Sequence, residues 1–224
     1  IISSTLFFLF PGQISAQFPQ PVQSSGDTVM AKEAMVITVA AFGEIEAGKA
    51  ICRSGAQPGD VIGVSHTIGD SAGGLDVLLQ HVSGFSMLKK AHQLPEPQIA
   101  LGRLLVQFHG HSLNDISDGL ASESNEIAQA SKVNLVIERD AIPCSEELKQ
   151  WTGKIGKNIW SYVFNGGEDY ELIFTMAPAD FKDLQQRCAY ITCIGHVESG
   201  EGHVYVGHDG VRTMISKTGW NHFQ

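Results

Sequence analysis

The sequence is short of positive charge: its 224 residues carry 15 Lys and Arg against 24 Asp and Glu, for a formal net charge of -9. Binding to a phosphate backbone needs clustered Lys and Arg, so nucleic acid is not an expected partner. Cysteine is scarce as well. Cys52, Cys144, Cys188 and Cys193 form no CxxC pair and match no zinc-site spacing. They read as reduced, mostly buried thiols of a cytoplasmic protein. Long apolar runs are missing too. The burst from Leu6 to Phe10, followed by Pro11, Gly12 and Ser15-Ala16, has a faint likeness to a signal peptide. It lacks a basic leading stretch and is far too short to cross a bilayer, so no membrane partner is expected. A chain that starts at Ile1 is read as truncated or altered there. No internal repeat and no coiled-coil pattern is found.

What remains is globular: 43% hydrophobic and 17% charged, enough for one large domain or one domain and part of another. Residues 1–25, rich in Pro, Gln and Ser, read as loop. Val36 to Phe42 reads as a buried strand, Ala47 to Arg53 as a short helix or turn, and Val61 to Ser65 as a strand after the turn Gln57-Pro58-Gly59-Asp60. Helices are expected over Ser71–Val82 with Asp70 as N-cap, Ile99–Phe108, Asp118–Ala130, Glu146–Trp151 and Asp180–Arg187 behind Pro178. Strands are expected at Asn134–Glu138 and Tyr170–Met176, with Ile191–Val197 and His203–Val206 as a terminal pair. The fold class expected is α/β of the α+β type: a mixed sheet with helices on one face.

Three acidic, glycine-bearing loops carry the chemistry: Ser25-Gly26-Asp27-Thr28, Asn114 to Leu120, and Asn165 to Leu172. Glycine lets backbone approach a ligand closely, and Asp and Glu supply hard oxygen ligands. Magnesium takes one or two carboxylates together with substrate phosphates and water. The helix beginning at Asp118 also offers backbone N–H groups to a phosphate. Asp118 alone would read as a helix cap; three such loops together point to metal-assisted phosphate chemistry. In an extended segment, Asp115 and Ser117 would share one face with Ile116 on the other. His109 and His111, two apart on a possible strand, lack a third ligand and make no metal site.

These loops resemble those of the thiamine-monophosphate kinases, of the superfamily that includes aminoimidazole ribonucleotide synthetase and selenophosphate synthetase. The matching segments are Ser25-Gly26-Asp27-Thr28, Arg53-Ser54-Gly55-Ala56-Gln57-Pro58-Gly59-Asp60, Asp115 to Leu120, Gly166 to Leu172 and the ending Gly219-Trp220-Asn221-His222-Phe223. Their order is the family's, from about Ser24 to the end. The resemblance implies that Gly26, Asp27, Arg53 and Ser117 meet ATP, that Asp27, Asp115 and Asp118 ligate Mg2+, and that Glu168 and Trp220 contact thiamine monophosphate. No residue is assigned as a catalytic acid or base. It implies transfer of the γ-phosphoryl of ATP to the phosphate of thiamine monophosphate, and a homodimer for the full-length family.

It also implies a division into an atypical segment 1–23, a remnant of an N-terminal ATP-binding domain at 24–46 and a C-terminal domain at 47–224. The family's N-terminal region carries further metal ligands and most of the dimer-forming sheet. None of it is recognisable in residues 1–23, so little or no kinase activity is expected of this polypeptide alone. Ser25 stands for a family glycine, Glu123 and Glu126 where members often have Asp and His, and Asn221 for the usual Asp. The other readings are a non-catalytic nucleotide-binding remnant and another ATP-dependent synthetase of the superfamily; the ending at Trp220 argues against the second.

Overall fold

The computed structural model describes residues 45–216. The strand expected at Val36–Phe42, and the candidate residues Gly26, Asp27 and Trp220, lie outside that range. Along the described chain run β1 (Val61–Ser65), α1 (Asp70–Leu79), α2 (Ser86–Gln93), α3 (Ile99–Gln107), β2 (Ser112–Asp115), α4 (Leu120–Ser131) and β3 (Val133–Glu138). A 3-10 turn at Arg139–Ala141 leads to α5 (Glu146–Ile155), α6 (Ile159–Asn165), β4 (Leu172–Met176), α7 (Pro178–Arg187), β5 (Ile191–Ser199), β6 (Val204–His208) and β7 (Val211–Ile215).

The seven strands form one mixed sheet in the order β2-β4-β1-β5-β3-β6-β7. Pairing is antiparallel except between β3 and β6. This is the expected α/β class. The strand alternation decides which side chains go where. Ile62 and Val64 of β1, Ile173 of β4, and Leu135 and Ile137 of β3 join one buried cluster with Val77, Leu88, Ile127, Leu148 and Trp151. That larger cluster is covered by α1, α2, α4, α5 and α6. Leu113, Leu172, Phe174 and Met176 point into a second cluster with Leu101 and Leu105 of α3 and Phe181 and Leu184 of α7. Most helices thus lie on one face, and α3 with α7 covers the opposite face at the β2–β4 end. Among the described residues, no helix is long and apolar enough to cross a membrane.

Several expectations shift. Ile191–Ser199 and Val204–His208 are not paired with each other: β3 lies between them, and β7 is the partner on the far side of β6. The expected long helix to Val82 ends at Leu79, because a separate helix, α2, follows and folds back on it. Asp70 is not its cap. Gly69 occupies that place, and the amides of Gly69 and Ser71 are taken instead by the distant carboxylate of Asp169. Within Ala47–Arg53 only Ala47 and Gly48 form a turn, closed by Lys49 N donating to Glu46 O at 3.0 Å, and no helix is present. His109 and His111 do not share a ligand: His111 Nδ1 sits 2.9 Å from Asp60 and His109 Nδ1 3.9 Å from Asp180.

Candidate functional site

The second and third acidic loops are one structure. Asp115 of β2 faces Leu172 of β4, and the pairing continues beyond both strands. Ile116 N donates to Glu171 O at 2.7 Å, Tyr170 N to Ile116 O at 2.9 Å and Glu168 N to Ser117 O at 2.7 Å. Close packing at the end of this ribbon needs glycine. At Gly119, φ is 102°, and a Cβ would lie 2.7 Å from Phe164 O and 3.0 Å from Gly166 O. Glu168 and Tyr170 have positive φ, 69° and 54°. Such backbone in non-glycine residues costs on the order of 1–3 kcal/mol each and persists only where neighbouring bonds enforce it. The three ribbon bonds, with Asp169 between the two strained residues anchored on α1, supply that enforcement.

Carboxylates crowd the ribbon. Asp115 is buried, and its Oδ2 has no hydrogen-bond partner among the described residues. Burial pushes its carboxyl up to about 6, although the Ser117 hydroxyl and the Arg53 charge act against the shift. On the opposite face of β2, Asn114 donates to Glu123, and its Nδ2 lies 3.3 Å from Glu126 Oε2. Arg53 Nε donates to Asn114 Oδ1 at 3.0 Å and stands 3.1 Å from Glu126 Oε2. Glu123 is buried in the first turn of α4 and pushed up to about 8, first by burial and then by Glu126, Asp115 and Asp118. Its Oε1 accepts from the amide of Asp118 at 3.3 Å. Asp118 is therefore not the helix cap. Gly119 precedes α4, and Glu123 reaches back over the turn to hold the loop.

The third loop is fastened from behind. Asp169 is buried and accepts from Gly69 N at 2.6 Å and Ser71 N at 2.9 Å. Burial, with Asp70 and Glu171 nearby, pushes it up to about 8 against the effect of those two amides. Glu171 accepts from the Ser65 hydroxyl and stands 3.0 Å from His66 Nδ1. Glu168 lies 3.7 Å from His92 Nδ1 of α2.

The structure thus brings Asp115, Ser117, Asp118 and Glu168 onto one ribbon and joins Arg53 to it through Asn114 and Glu126. Sequence reasoning placed Asn114 and Asp169 inside the acidic loops without giving either a role, and it missed His92. The contacts of Asp169 and His92 gave no local signal, because their partners lie far away along the chain. Among the described residues, the only three His, Cys, Asp or Glu ligand atoms within 4.8 Å of one another belong to Asp140, His208 and Asp209. That knot sits at the β6–β7 turn, where Asp140 and Asp209 take both nitrogens of His208.

Comparison with known proteins gives these likenesses. The family described as AIR synthase related protein, C-terminal domain, matches residues 57–207. Thiamine-monophosphate kinase of Bacillus subtilis is 39% identical over 210 residues, 89% of this chain and 63% of that protein. The enzyme of the same name from Aquifex aeolicus is 37% identical over 202 residues, 88% of this chain and 62% of that one. The chain thus spans less than two thirds of these relatives' length. Among solved structures, AaThiL complexed with AMPPCP and TMP aligns at a TM-score of 0.67 and 37% identity, covering 77% of this chain and 54% of that chain. Thiamine-monophosphate kinase of Stenotrophomonas maltophilia K279a aligns at 0.67 and 31% identity, covering 75% and 56%. Hydrogenase maturation protein HypE aligns at 0.62 and 22% identity, covering 81% and 59%, a likeness of fold alone.

Proposed function

The chain belongs to the AIR synthase related protein family, grouping there with the thiamine-monophosphate kinases, and from that premise we propose that it serves the ATP- and Mg2+-dependent phosphorylation of thiamine monophosphate to thiamine diphosphate. The observation that carries the proposal is the ribbon of two acidic loops with the unpartnered, buried Asp115 Oδ2 at its centre. A buried carboxylate oxygen without a donor is costly unless a cation completes it. The donor set is hard oxygen throughout, which suits magnesium. Asp115 and Asp118, with Asp27, would hold the ion, and it would offset repulsion between two anionic reactants.

The remaining work falls to the chain's own groups. Gly26, Asp27, Arg53 and the Ser117 hydroxyl bind and orient the nucleotide. Glu168 and Trp220 hold thiamine monophosphate. A phosphate oxygen of the acceptor attacks the γ-phosphorus, the bond from that phosphorus to the β,γ-bridging oxygen breaks, and ADP leaves. An acceptor that is already anionic needs little general-base help. Within the same reading we propose an atypical segment 1–23, a remnant of an N-terminal ATP-binding domain at 24–46 and a C-terminal domain at 47–224, a homodimer for the full-length family and a cytoplasmic location.

Calorimetry on the full 224-residue chain tests it. Binding of AMPPCP that requires Mg2+, together with binding of thiamine monophosphate, is expected. Absence of both sinks the reading. ADP release on a panel of phosphate acceptors, measured on a full-length parent, then identifies the reaction: release with thiamine monophosphate supports the kinase, release with another acceptor supports a different synthetase, and binding without release in the parent as well supports a non-catalytic nucleotide-binding module. The 224-residue chain alone is expected to bind with little or no release.

A further inference from the structure

Arg53 is open to solvent at its tip yet held along its length. It lies on a stretch without helix or strand, and that stretch is fastened to β2 and to α4. Leu113 N of β2 donates to Cys52 O at 3.1 Å. The Ser131 hydroxyl, at the end of α4, donates to Arg53 O at 3.1 Å and accepts from Gly55 N at 3.1 Å and Ala56 N at 3.2 Å. At Gly55 a Cβ would lie 2.2 Å from His111 O, so glycine lets the stretch run close beside the start of β2. Asn114 then holds the side chain. Its Oδ1 accepts from Arg53 Nε at 3.0 Å, and its Nδ2 donates to Glu123 and lies 3.3 Å from Glu126 Oε2. The partners fix the direction of this amide: turned over, its oxygen would face two carboxylates and its NH2 a guanidinium. Glu123 passes the contact on, because its other oxygen accepts from Asp118 N at 3.3 Å. One buried amide, Asn114 being 4% exposed, thus stands between the guanidinium and the turn that carries Asp118. Arg53 meets both Asn114 and Glu126 through Nε, which leaves its two terminal nitrogens to grip a phosphate as a fork.

We propose that Asn114 is a positioning residue of the nucleotide subsite: it sets the Arg53 guanidinium and the Asp118 turn relative to each other, so that both address one triphosphate. This rests on the reading that Arg53 and the Asp115–Gly119 loop meet nucleotide and metal. Arginine has much rotamer freedom to lose on binding, and a neighbour that fixes Nε beforehand reduces that loss. An arginine and a metal-binding turn that act on adjoining phosphates must keep their separation closely, because small misplacements forfeit much of the benefit. Asparagine suits the task, since its amide presents an acceptor to the cation and donors to the carboxylates on one rigid plane.

The test is a double-mutant cycle read by calorimetry on the full chain, with AMPPCP plus Mg2+ and thiamine monophosphate as separate titrants. Asn114→Ala is expected to weaken the nucleotide about tenfold and thiamine monophosphate by less than about twofold. Adding Arg53→Ala to Asn114→Ala is expected to cost little more, because the arginine is already out of place. Arg53→Ala alone reports on the underlying reading. If it has no effect, the nucleotide reading of Arg53 fails and the proposal with it. If it weakens the nucleotide and Asn114→Ala does not, the positioning role is overturned while the reading stands. Losses that multiply in the double variant show that the two residues act independently and overturn the proposal. Equal loss of both ligands in Asn114→Ala shows a purely structural part and overturns it as well. Asn114→Asp combined with Glu123→Gln reverses the donor and acceptor between the two positions and keeps an acceptor for Arg53 Nε. This pair is expected to bind the nucleotide nearly as the parent does, and it decides the matter alone should Asn114→Ala not fold: affinity near the parent's supports positioning, and a tenfold loss overturns it.

Discussion

Glu168 donates its backbone N–H to the carbonyl of Ser117 at 2.7 Å, and that bond fastens the loop proposed to meet the acceptor to the loop proposed to meet metal and nucleotide. The two reactants of a phosphoryl transfer must be held in line, and a rigid tie between their binding loops serves that end.

Replacing Asp115 by Asn removes a buried charge that has an oxygen without a partner. Thermal unfolding without metal at neutral pH should then show a gain on the order of 1–3 kcal/mol, since the raised carboxyl of Asp115 marks a cost borne by the ionised form. The same variant should lose the stabilisation that Mg2+ with AMPPCP gives the parent. A variant that is less stable without metal, or that keeps the magnesium response, would count against Asp115 as a ligand.

Arg53 should behave in the opposite way. Its side chain is 55% exposed in its pairing with Glu126, so screening by water leaves the pair worth at most about 1 kcal/mol. Arg53→Ala should therefore melt close to the parent yet bind AMPPCP several-fold more weakly. Unchanged nucleotide affinity would return Arg53 to the status of a surface ion pair.

Gly74→Ala tests the closeness of α1 and α2. Alanine gains about 1 kcal/mol of helix propensity over glycine. Its Cβ would meet the backbone carbonyl of Leu88, which cannot move without shifting α2. A net destabilisation of about 1–3 kcal/mol by denaturant unfolding is expected. A stabilised variant would show that the helices have room to spare.

Asp169 sets a pH dependence. Its carboxyl is pushed up to about 8 in the fold by burial, against an ordinary value of 3.8. Between those values the folded state binds the extra proton, so this group's contribution is full at acid pH and is lost as pH rises towards about 8. Metal-free protein should melt at progressively lower temperature over that window. Asp169→Asn should flatten the slope, and a parent profile already flat there would contradict the shift.

Much of the architecture is legible because the signals are local. β-branched runs mark Val61–Ser65 and Val133–Glu138, and Pro178 marks the start of α7. The departures have physical causes. Ile159–Asn165 is rich in aromatic and β-branched residues and is helical only through its Asn158 cap and its packing on α4. Ser86–Gln93 follows a residue, Phe85, in left-handed conformation with no side-chain cap, so nothing local announces it. β7 did have a signal: Asp209 and Gly210 both have positive φ, and His208 faces Val211 across them, as a two-residue Asp-Gly hairpin turn predicts. The loops at Asp115–Gly119 and Gly166–Glu171 were readable as motifs, but their union required β2 to pair with β4, a contact no local pattern encodes. Asp169's hold on Gly69 and Ser71 was hidden for the same reason.

The place of β1 in the sheet has a consequence for how the molecule comes into being. Val61 is paired with Met176 on one side and His196 on the other, so the first described strand has no neighbour until the last third of the chain exists. A nascent polypeptide must carry β1 unpaired past six helices. Closing such long loops slows folding and leaves an open strand edge exposed to other chains in the meantime. The Asp115–Gly119 loop waits in the same way, because the backbone groups that shape it belong to Glu168, Tyr170 and Glu171. In a ribosome-bound chain arrested before Glu168, the loop proposed to handle phosphate would be present in sequence and absent in shape.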